Sequence, residues 1–282
     1  MNKLLNGNLK LAIQKEGRLT QETLEFLWKS SLDFDKVAPR LYSSCRNFPL
    51  EILYLRDNDI PKYVEEGSVD IGIIGQNLLY EKRPKVKKLL NLRFGYCSLV
   101  VAVPRDSEVR TIKDLKKLPI ATSYPNSAQN YFRKNNIDVE IVTISGSTEI
   151  APILGISAAI VDLTSTGSTL FLNDLKVLDK IYDSEAVLIA NQKSLTEKNN
   201  LSKVESLLAR FKGVLSAKNQ KYVMLSLPQD GLPKLRKLLP TVKNSSFYGG
   251  IVKEDYLWEI LAKIKSLGAK NIVVLPVEKL IS

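Results

Sequence analysis

The 282-residue chain contains no histidine, and this absence excludes more chemistry than any other feature of its composition. Without imidazole there is no Ser-His-Asp or Cys-His catalysis, no histidine general base and no zinc site that needs imidazole ligands. Any reaction must therefore depend on carboxylates, amines, hydroxyls, backbone groups or a hard metal ion.

Cysteine is nearly absent too, because the chain contains only Cys45 and Cys97, far apart and without CxxC spacing. Neither a disulfide framework nor a thiolate metal site is indicated, and we expect a reducing, cytoplasmic compartment. Long apolar runs are also missing. Residues 1–8 lack the apolar core of a signal peptide, and no later segment approaches the ~18 apolar residues of a membrane span. We therefore expect neither secretion nor a membrane partner.

Acidic residues are fewer than basic ones, since 30 Asp and Glu stand against 41 Lys and Arg and the formal net charge is +11. Such an excess attracts nucleic acid, acidic lipid or phosphorylated metabolites. The lysines are spread along the chain and only residues 85–88 resemble a cluster, which favours a solvated surface over a nucleic-acid patch. Hydrophobic residues at 44% and charged residues at 25% are typical of a globular protein, and the length fits two or three domains.

Short apolar runs alternate with helical patterns through most of the chain. Runs at 9–13, 50–55 and 69–74 are separated by helical spacing, and the alternation restarts after a break near 93–96. The second set comprises predicted strands at 98–103, 120–123, 139–144 and 158–163 and predicted helices at 111–116, 126–136 and 148–154. This pattern predicts parallel sheets buried on both faces, and hence two α/β lobes around a cleft. An apolar run at 186–190 is expected to return the chain to the first lobe.

Beyond a polar, lysine-bearing helical stretch at 194–217, the pattern changes. The predicted order is strand 222–227, helix 232–239, a short strand pair near 242–252, helix 256–267 and strand 272–275. This βαββαβ order is the ferredoxin-like arrangement common in small ligand-sensing domains. We therefore expect a first lobe at 1–97 that is joined again by about 183–217, a second lobe at 98–182 and a third domain at 218–282.

The most specific segment is 158–170, where an apolar strand delivers Asp162 and hydroxyl residues then surround Gly167. Free backbone N–H groups and the dipole at a helix start favour a phosphate, and a glycine allows close approach. An ordinary N-cap needs only one hydroxyl residue. Here there are four, so we favour a phosphate-binding loop, without the Walker lysine, that contains Ser165, Thr166, Ser168 and Thr169.

Further candidates lie where other predicted strands meet helices, which is the usual ligand position in open α/β sheets. Lys15 and Arg18 in the turn at 14–18 either face the cleft or form a solvated turn. In the segment 56–59, Asp57 or Asn58 taken alone is better explained as an N-cap.

The last two candidates are ambiguous in the same way. Asp70 with Gly72 and Gly75 permits close backbone approach by a ring or a phosphate, but such glycines also mark tight packing. Glu149 begins a predicted helix, where a glutamate usually only complements the helix dipole. All five candidates lie at strand-to-helix junctions, so two facing lobes would bring them into one cleft.

Taken in order, these segments resemble the long form of the ATP phosphoribosyltransferase family. The similar segments span nearly the whole chain, at 11–19, 56–61, 69–75, 121–125, 146–152, 162–170 and 258–279. The resemblance implies a pentosyltransferase that transfers the 5-phosphoribosyl group of phosphoribosyl pyrophosphate (PRPP) to N1 of ATP and releases pyrophosphate. This reaction is the first step of L-histidine biosynthesis.

The same resemblance implies the architecture and the partners. It implies two periplasmic-binding-protein-like lobes and a C-terminal domain of ACT or PII type that senses histidine as an inhibitor. It also implies Mg²⁺, a dimer that can become a hexamer, no separate regulatory subunit and no nucleic-acid partner.

Site residues follow from the resemblance as well. Catalytic roles are implied for Lys15, Arg18 and Asp162, with Asp162 at the ribose. PRPP binding is implied for Glu149, Ser165, Thr166, Gly167, Ser168, Thr169 and Leu170. Nucleotide or pyrophosphate binding is implied for Gln14, Gly17, Arg56, Asp57, Asp70, Gly72 and Gly75.

This reaction suits a chain without histidine. Adenine N1 attacks ribose C1 through its lone pair, so no proton has to be removed first. The reaction needs alignment of two polyanions, for which positioning is worth roughly 7–11 kcal/mol. It also needs Mg²⁺ and cations such as Lys15 and Arg18 to neutralise the leaving group. Asp162 is the carboxylate expected beside the positive charge that develops on the sugar.

Two other classes of protein compete with this interpretation. A solute-binding protein also places two lobes around a cleft, but such proteins are normally exported. A metabolite-responsive nucleic-acid binder would fit the net charge, but it needs a basic helix that can enter a groove, and the sequence shows no convincing one.

Overall fold

The computed structural model describes residues 7–35, 41–228, 231–239, 242–244 and 247–281, and within these ranges it contains three β-sheets. The chain divides into two compact units, one of residues 1–25 and 33–204 and the other of residues 26–32 and 205–282. Two sheets belong to the first unit, and we call the parts of the chain around them lobe I and lobe II. The third sheet belongs to the second unit.

Lobe I is built on a six-stranded sheet with the order β2-β3-β1-β4-β11-β5. The strands β3, β1 and β4 are parallel, whereas β11 pairs antiparallel with both β4 and β5. The elements are β1 (Leu9–Gln14), α1 (Thr20–Lys29), β2 (Tyr42–Ser44), β3 (Leu50–Leu55), α2 (Ile60–Glu66), β4 (Ile71–Gly75), α3 (Gln76–Lys82), β5 (Lys87–Asn91) and β11 (Ala186–Ala190).

Local sequence explains how α2 begins and ends. Pro61 lies in its first turn, where the missing backbone N–H has no intrahelical partner to lose. Gly67 ends the helix in the left-handed conformation at φ +79°, and its N–H donates to the carbonyl of Val64. A short helix is thereby held between two parallel strands.

Lobe II contains a five-stranded sheet with the order β10-β6-β9-β7-β8. Here β7 is parallel to β8 and β9, and β6 is antiparallel to its neighbours β9 and β10. The elements are β6 (Cys97–Pro104), β7 (Pro119–Thr122), α4 (Pro125–Lys134), β8 (Glu140–Thr143), β9 (Ala159–Thr164), α5 (Ser168–Leu172) and β10 (Leu175–Ser184), with 3-10 turns at Ile112–Leu115 and Thr148–Ile150.

The third sheet is wholly antiparallel in the order β13-β14-β12-β15. Apolar residues of α7 and α8 pack against Val223 and Leu225 of β12, so both helices cover the same face. The elements are β12 (Gln220–Ser226), α7 (Leu232–Leu238), β13 (Val242–Asn244), β14 (Phe247–Lys253), α8 (Leu257–Ser266) and β15 (Lys270–Pro276), and they follow α6 (Lys198–Ala217). Within this unit Phe26 packs on Phe211 with ring centroids 4.8 Å apart.

Each lobe has a core on its sheet. In lobe I the side chains of Ala12, Ile60, Val64 and Ile189 pack together, and every residue of β4 and β11 is buried. The core of lobe II surrounds the fully buried ring of Phe132. The mixed α/β class predicted from the sequence is therefore confirmed.

Several predicted details are wrong. Both large sheets are mixed rather than purely parallel, because β2, β6, β10 and β11 run against their neighbours. The predicted helix at 148–154 is only the 3-10 turn Thr148–Ile150, followed by turns. Pro152 cannot donate a helical hydrogen bond and Gly155 is left-handed at φ +69°, so the helix does not continue.

Two predictions fall partly outside the described residues. The prediction that residues 1–8 lack the apolar core of a signal peptide concerns residues 1–6, which lie outside the described residues. The strand pair near 242–252 corresponds to β13 and β14, although residues 245–246 between these strands lie outside too. In the part of the chain that the structure describes, none of the helices combines the length and the apolar character required to span a bilayer.

Replacing Phe132 by alanine is expected to destabilise the protein by about 3–5 kcal/mol, the usual cost of deleting a buried aromatic ring. Urea unfolding measures the change. Phe171→Ala is the matched control, because that ring is 65% exposed. The control should change stability by no more than about 0.5 kcal/mol. Equal losses in the two variants would contradict the assignment of Phe132 to the core.

Candidate active site

Most of the candidate residues lie at one edge of each large sheet. In lobe I the carboxyl ends of β1, β3 and β4 lead into residues 14–18, into residues 56–57 and to Gly75. In lobe II the carboxyl ends of β7 and β9 lead to Tyr124 and to residues 165–169. Parallel strands end at the same edge, so each lobe gathers its polar loops on one side.

Tyr124 links these two edges. It occupies the N-cap position of α4 in lobe II. Burial raises its pKa well above the ordinary value, and the negative charges of Asp162 in lobe II and Asp57 in lobe I add to this rise. The positive charge of Arg18 acts in the opposite direction. One phenol therefore lies within electrostatic reach of carboxylates from both lobes and of a lobe I cation.

Tyr124 is not among the site residues predicted from the sequence. Two signals could have found it. It lies in the segment 121–125 that resembles the family, and it directly follows a predicted strand of the second lobe.

The side chain of Arg18 is held in place by a backbone carbonyl group. Its Nη1 donates to the carbonyl of Gly95, and Nη2 lies 3.3 Å from the position that a Cβ on Gly75 would occupy. Its charge also acts on the pKa of Tyr124 and of Cys97. The guanidinium of Arg18 therefore lies beside the carboxyl end of β4.

Asp162 is a partly buried carboxylate near the end of β9. One of its oxygens accepts the backbone N–H of Leu163 at 2.7 Å, and the Thr148 side chain also hydrogen-bonds to it. Burial raises the pKa of Asp162, the two hydrogen bonds oppose that rise, and the charge of Glu149 adds to it. The structure thus brings Asp162, Thr148 and Glu149 together.

The hydroxyl-rich loop after β9 is exposed and turns at Gly167. Gly167 has φ +78°, a left-handed conformation that favours glycine, and its N–H donates to Thr164 Oγ1 at 3.0 Å. The hydroxyls of Thr166 and Ser168 lie 2.7 Å apart. Ser165 and Thr169 are exposed beside them.

Leu170 differs from the rest of this loop. Its side chain is 5% exposed and packs in a core cluster of lobe II. The side chain therefore anchors α5 and cannot contact PRPP, so only the backbone of Leu170 is available for that predicted role.

Gln14 and Gly17 shape the turn that carries Arg18. Gln14 Oε1 accepts the N–H of Leu19 at 3.0 Å. Gly17 has φ +134°, and a Cβ there would lie 2.3 Å from Gln14 Nε2. Lys15 forms a long ion pair of 3.8 Å with Glu16 at the surface, which contributes little to its position.

The loop after β3 also corrects an alternative interpretation. The N-cap of α2 is Asp59, not Asp57 or Asn58. Asp57 Oδ1 instead accepts the N–H of Asn58 at 2.8 Å, and the side chain of Arg56 is exposed at the same edge. Asp57 therefore does not cap α2, and its negative charge contributes to the raised pKa of Tyr124.

Asp70 and Gly72 do not reach this edge. Asp70 precedes the amino end of β4, where its carboxylate accepts the N–H of Lys10 at 2.8 Å and the hydroxyl of Ser194 at 2.7 Å. A Cβ on Gly72 would lie 2.8 Å from Ile60 Cγ2, so this glycine allows α2 to pack on the sheet. Neither residue is therefore available for the predicted nucleotide binding, because Asp70 lies at the opposite end of the strand and Gly72 lies in the core.

Comparison with known proteins gives a consistent result. A family model described as ATP phosphoribosyltransferase matches residues 56–213. The ATP phosphoribosyltransferase of Cytophaga hutchinsonii is 41% identical, over 97% of this chain and 98% of that protein. The chain belongs to the ATP phosphoribosyltransferase family. The Methanocaldococcus jannaschii ATP phosphoribosyltransferase is 36% identical, over 97% of this chain and 100% of its own length.

Among solved structures, a chain of the ATP phosphoribosyl transferase (HisG:HisZ) complex from Thermotoga maritima is similar with a TM-score of 0.62 and 32% identity. The match covers 72% of this chain and 96% of that chain. An ATP phosphoribosyltransferase transfers the phosphoribosyl group of PRPP to ATP in the first step of L-histidine biosynthesis, and this is the function of the present chain.

Replacing Asp162 by asparagine is expected to raise the thermal midpoint at pH 7, because the ionised carboxylate is unfavourable where it is buried. Its pKa in the folded protein lies above the ordinary value of 3.8, so the cost is full above the folded pKa and disappears below pH 3.8, where both states are protonated. The gain should therefore shrink as the pH falls. Calorimetry between pH 3 and pH 7 measures it.

Asp114→Asn is the matched control with the opposite sign. Backbone N–H groups of Thr111 and Arg110 lower the pKa of Asp114, so its ionised form stabilises the fold. This variant should lower the midpoint at pH 7. A shift in the same direction in both variants would show that Asp162 is not an unfavourably buried carboxylate.

Proposed function

We propose that PRPP binds to lobe II and ATP to the facing edge of lobe I, with the reacting atoms beside Tyr124. The observation that carries this proposal is the direct contact between α3, which starts after Gly75 in lobe I, and α4, which starts after Tyr124 in lobe II. The charges of Asp57, Asp162 and Arg18, which all act on the pKa of Tyr124, agree with it. A reaction between two polyanions needs such facing edges, because positioning supplies much of the rate.

The loop of residues 164–169 is the proposed site of the 5-phosphate of PRPP. Gly167 lets the backbone turn, the hydroxyls of Thr166 and Ser168 lie 2.7 Å apart, and Ser165 and Thr169 are exposed in the same loop. Hydroxyl and backbone N–H donors at such a turn favour phosphate oxygens. Asp162 and Glu149, deeper in the same lobe, are then placed for the ribose.

For the nucleotide and the leaving pyrophosphate we propose the lobe I residues that reach the edge. Arg18, Lys15 and Arg56 supply positive charge, and Gly75 and Asp57 border the same space. Gln14 and Gly17 support this site by fixing the turn. The ring of Tyr124 offers a flat apolar surface for adenine.

The chemistry follows from these positions. Adenine N1 attacks ribose C1 while the bond to pyrophosphate breaks, and no general base is needed. Positive charge develops on the sugar, and the ionised carboxylate of Asp162 stabilises it more strongly in a partly buried site than in water. Negative charge develops on the pyrophosphate, and Arg18 and Lys15 neutralise it.

A divalent metal is used by this family, and we propose Mg²⁺. Among the described residues no group of three or more acidic or cysteine side chains could hold a metal ion. This fits Mg²⁺, which is commonly bound by one or two carboxylates together with substrate phosphates. Asp162 and Glu149 are the carboxylates that would hold it, and the ion would neutralise pyrophosphate charge.

The unit that contains the third sheet is proposed to be a ferredoxin-like regulatory domain that binds histidine. Its βαββαβ order and its antiparallel sheet with both helices on one face support this fold. The family model ends at residue 213, before β12. We retain 1–97 with 183–217, 98–182 and 218–282 as proposed domains.

The same proposal covers assembly and location. We propose a homo-oligomer, dimer or hexamer, without a separate regulatory subunit. The match to the Thermotoga maritima chain covers 96% of that chain but 72% of this one. The present chain therefore contains additional residues, which supports a regulatory domain within the same chain. A cytoplasmic location agrees with two cysteines that are not joined in a disulfide and with the need for ATP.

Gly167→Val is expected to lower kcat/KM for PRPP by at least about 100-fold, because a β-branched residue is strained at φ +78° and distorts the phosphate loop. Steady-state kinetics with mass detection of phosphoribosyl-ATP measures the loss.

The control is Gly155→Val in lobe II, outside the proposed loop. Gly155 has φ +69°, and at both glycines an added Cβ would meet nothing within 4 Å, so the backbone strain is matched. This control should retain kcat/KM within a few-fold. Wild-type affinity for PRPP in the Gly167 variant would refute the loop assignment.

L-Histidine is expected to inhibit the full chain by about 5–150-fold, the usual range of allosteric coupling. D-Histidine is the control ligand. A chain that ends at Ala217 should keep the reaction and lose the inhibition. A full chain that does not respond to L-histidine would contradict the sensing role.

A further inference from the structure

Glu81 joins the two lobes through a small hydrogen-bond network. It lies in α3 of lobe I and is 5% exposed. One carboxylate oxygen accepts the backbone N–H of Asn126 and the other that of Ser127, each at 2.9 Å. Asn126 Nδ2 in turn donates to the Glu81 carbonyl oxygen at 3.1 Å. Three hydrogen bonds therefore connect the lobes at a single residue.

These N–H groups belong to the first turn of α4, where a helix has no acceptors of its own. The N-cap residue, Tyr124, supplies no side-chain cap. The cap of this lobe II helix is thus a carboxylate from lobe I, and its negative charge also complements the positive end of the helix dipole.

A second contact reinforces the same junction. Tyr80, next to Glu81 in α3, meets Tyr182 of β10 edge to face with ring centroids 4.7 Å apart. Burial raises the pKa of Tyr182 to about 12, and the charge of Glu81 adds to this rise. Tyr182 also donates to Ser127 Oγ at 3.1 Å. The helix α3 therefore contacts both α4 and the edge strand of lobe II.

The junction is linked to the site at both of its ends. The helix α3 starts directly after Gly75, at the carboxyl end of β4. The capped turn of α4 starts directly after Tyr124. A shift of Glu81 against α4 would consequently move Tyr124 relative to Arg18 and Asp57.

We propose that Glu81 is a positioning residue that sets the two lobes, and with them Tyr124, at the spacing required for catalysis. The inference rests on the proposed site between the two lobes. Glu81 itself faces α4 rather than the cleft, so it acts through the position of the helix and not by contact with a substrate.

Glu81→Gln tests the proposal. The variant keeps the size of the side chain but turns an NH₂ group toward backbone donors, so one hydrogen bond is lost and the lobes lose their fixed spacing. We expect kcat/KM for ATP to fall at least tenfold, with a higher KM for ATP and a lower kcat, at temperatures where the protein is fully folded by circular dichroism.

The matched control is Asp114→Asn, which removes a carboxylate that also accepts two backbone N–H groups, those of Arg110 and Thr111, but within lobe II alone. We expect it to lower the thermal midpoint and to keep kcat/KM within twofold. Loss of activity in both variants to the same extent would show that Glu81 contributes general stability only, and would overturn the proposal.

Asn126→Ala is the milder variant for the case in which Glu81→Gln does not fold. Residue 126 is exposed, and removal of its side chain deletes the bond to the Glu81 carbonyl but keeps the backbone N–H that Glu81 accepts. We expect about a threefold loss of kcat/KM for ATP in the same direction. Wild-type kinetics in either folded variant would overturn the positioning role.

Tyr124→Ala separates this inference from the proposed function. Unchanged kinetics in Tyr124→Ala would refute the site between the lobes. An impaired Tyr124→Ala together with a normal, folded Glu81→Gln would refute only the role of Glu81.

Discussion

Burial of central strands on both faces is the constraint on which the rest of the lobe I site depends. In β4 and β11 every residue is buried, so no side chain along these strands can meet a ligand. Polar and charged groups are therefore confined to the strand ends, and in parallel strands the carboxyl ends share one edge. Gly72, inside β4, packs against α2 in the core, whereas the charged side chain of Arg18 lies at the edge of the sheet.

In lobe II, the partly buried carboxylate of Asp162 links the proposed function to the stability of the fold. Asp162 has a raised pKa because burial and Glu149 disfavour its ionised form. The same low polarity strengthens its interaction with a sugar that acquires positive charge. Asp114, whose Oδ2 accepts the backbone N–H groups of Arg110 and Thr111, shows the opposite shift, so the local environment rather than the residue type decides the sign.

Two elements that were not predicted from the sequence, α3 and β10, lack the periodic patterns on which such predictions depend. In α3 the polar Asn77 and Glu81 are buried while Tyr80 is 41% exposed, so the helix has no ordinary apolar stripe. In β10 the register shifts between Val177 and Asp179 and again between Lys180 and Tyr182, which breaks the two-residue alternation of a strand. Both elements are explained by partners distant in sequence.

By itself the sequence determined the mixed α/β class, the family, and the hydroxyl-rich turn at Gly167, because these depend on local periodicity and on residues adjacent in the chain. Only the tertiary structure decided that Asp70 accepts a hydrogen bond at the far end of its strand, that charges from both lobes act on Tyr124, and that Glu81 caps a helix 45 residues away. Such contacts form when helices and strands pack together. The periodic pattern of one segment does not specify which residues of a distant segment will lie against it.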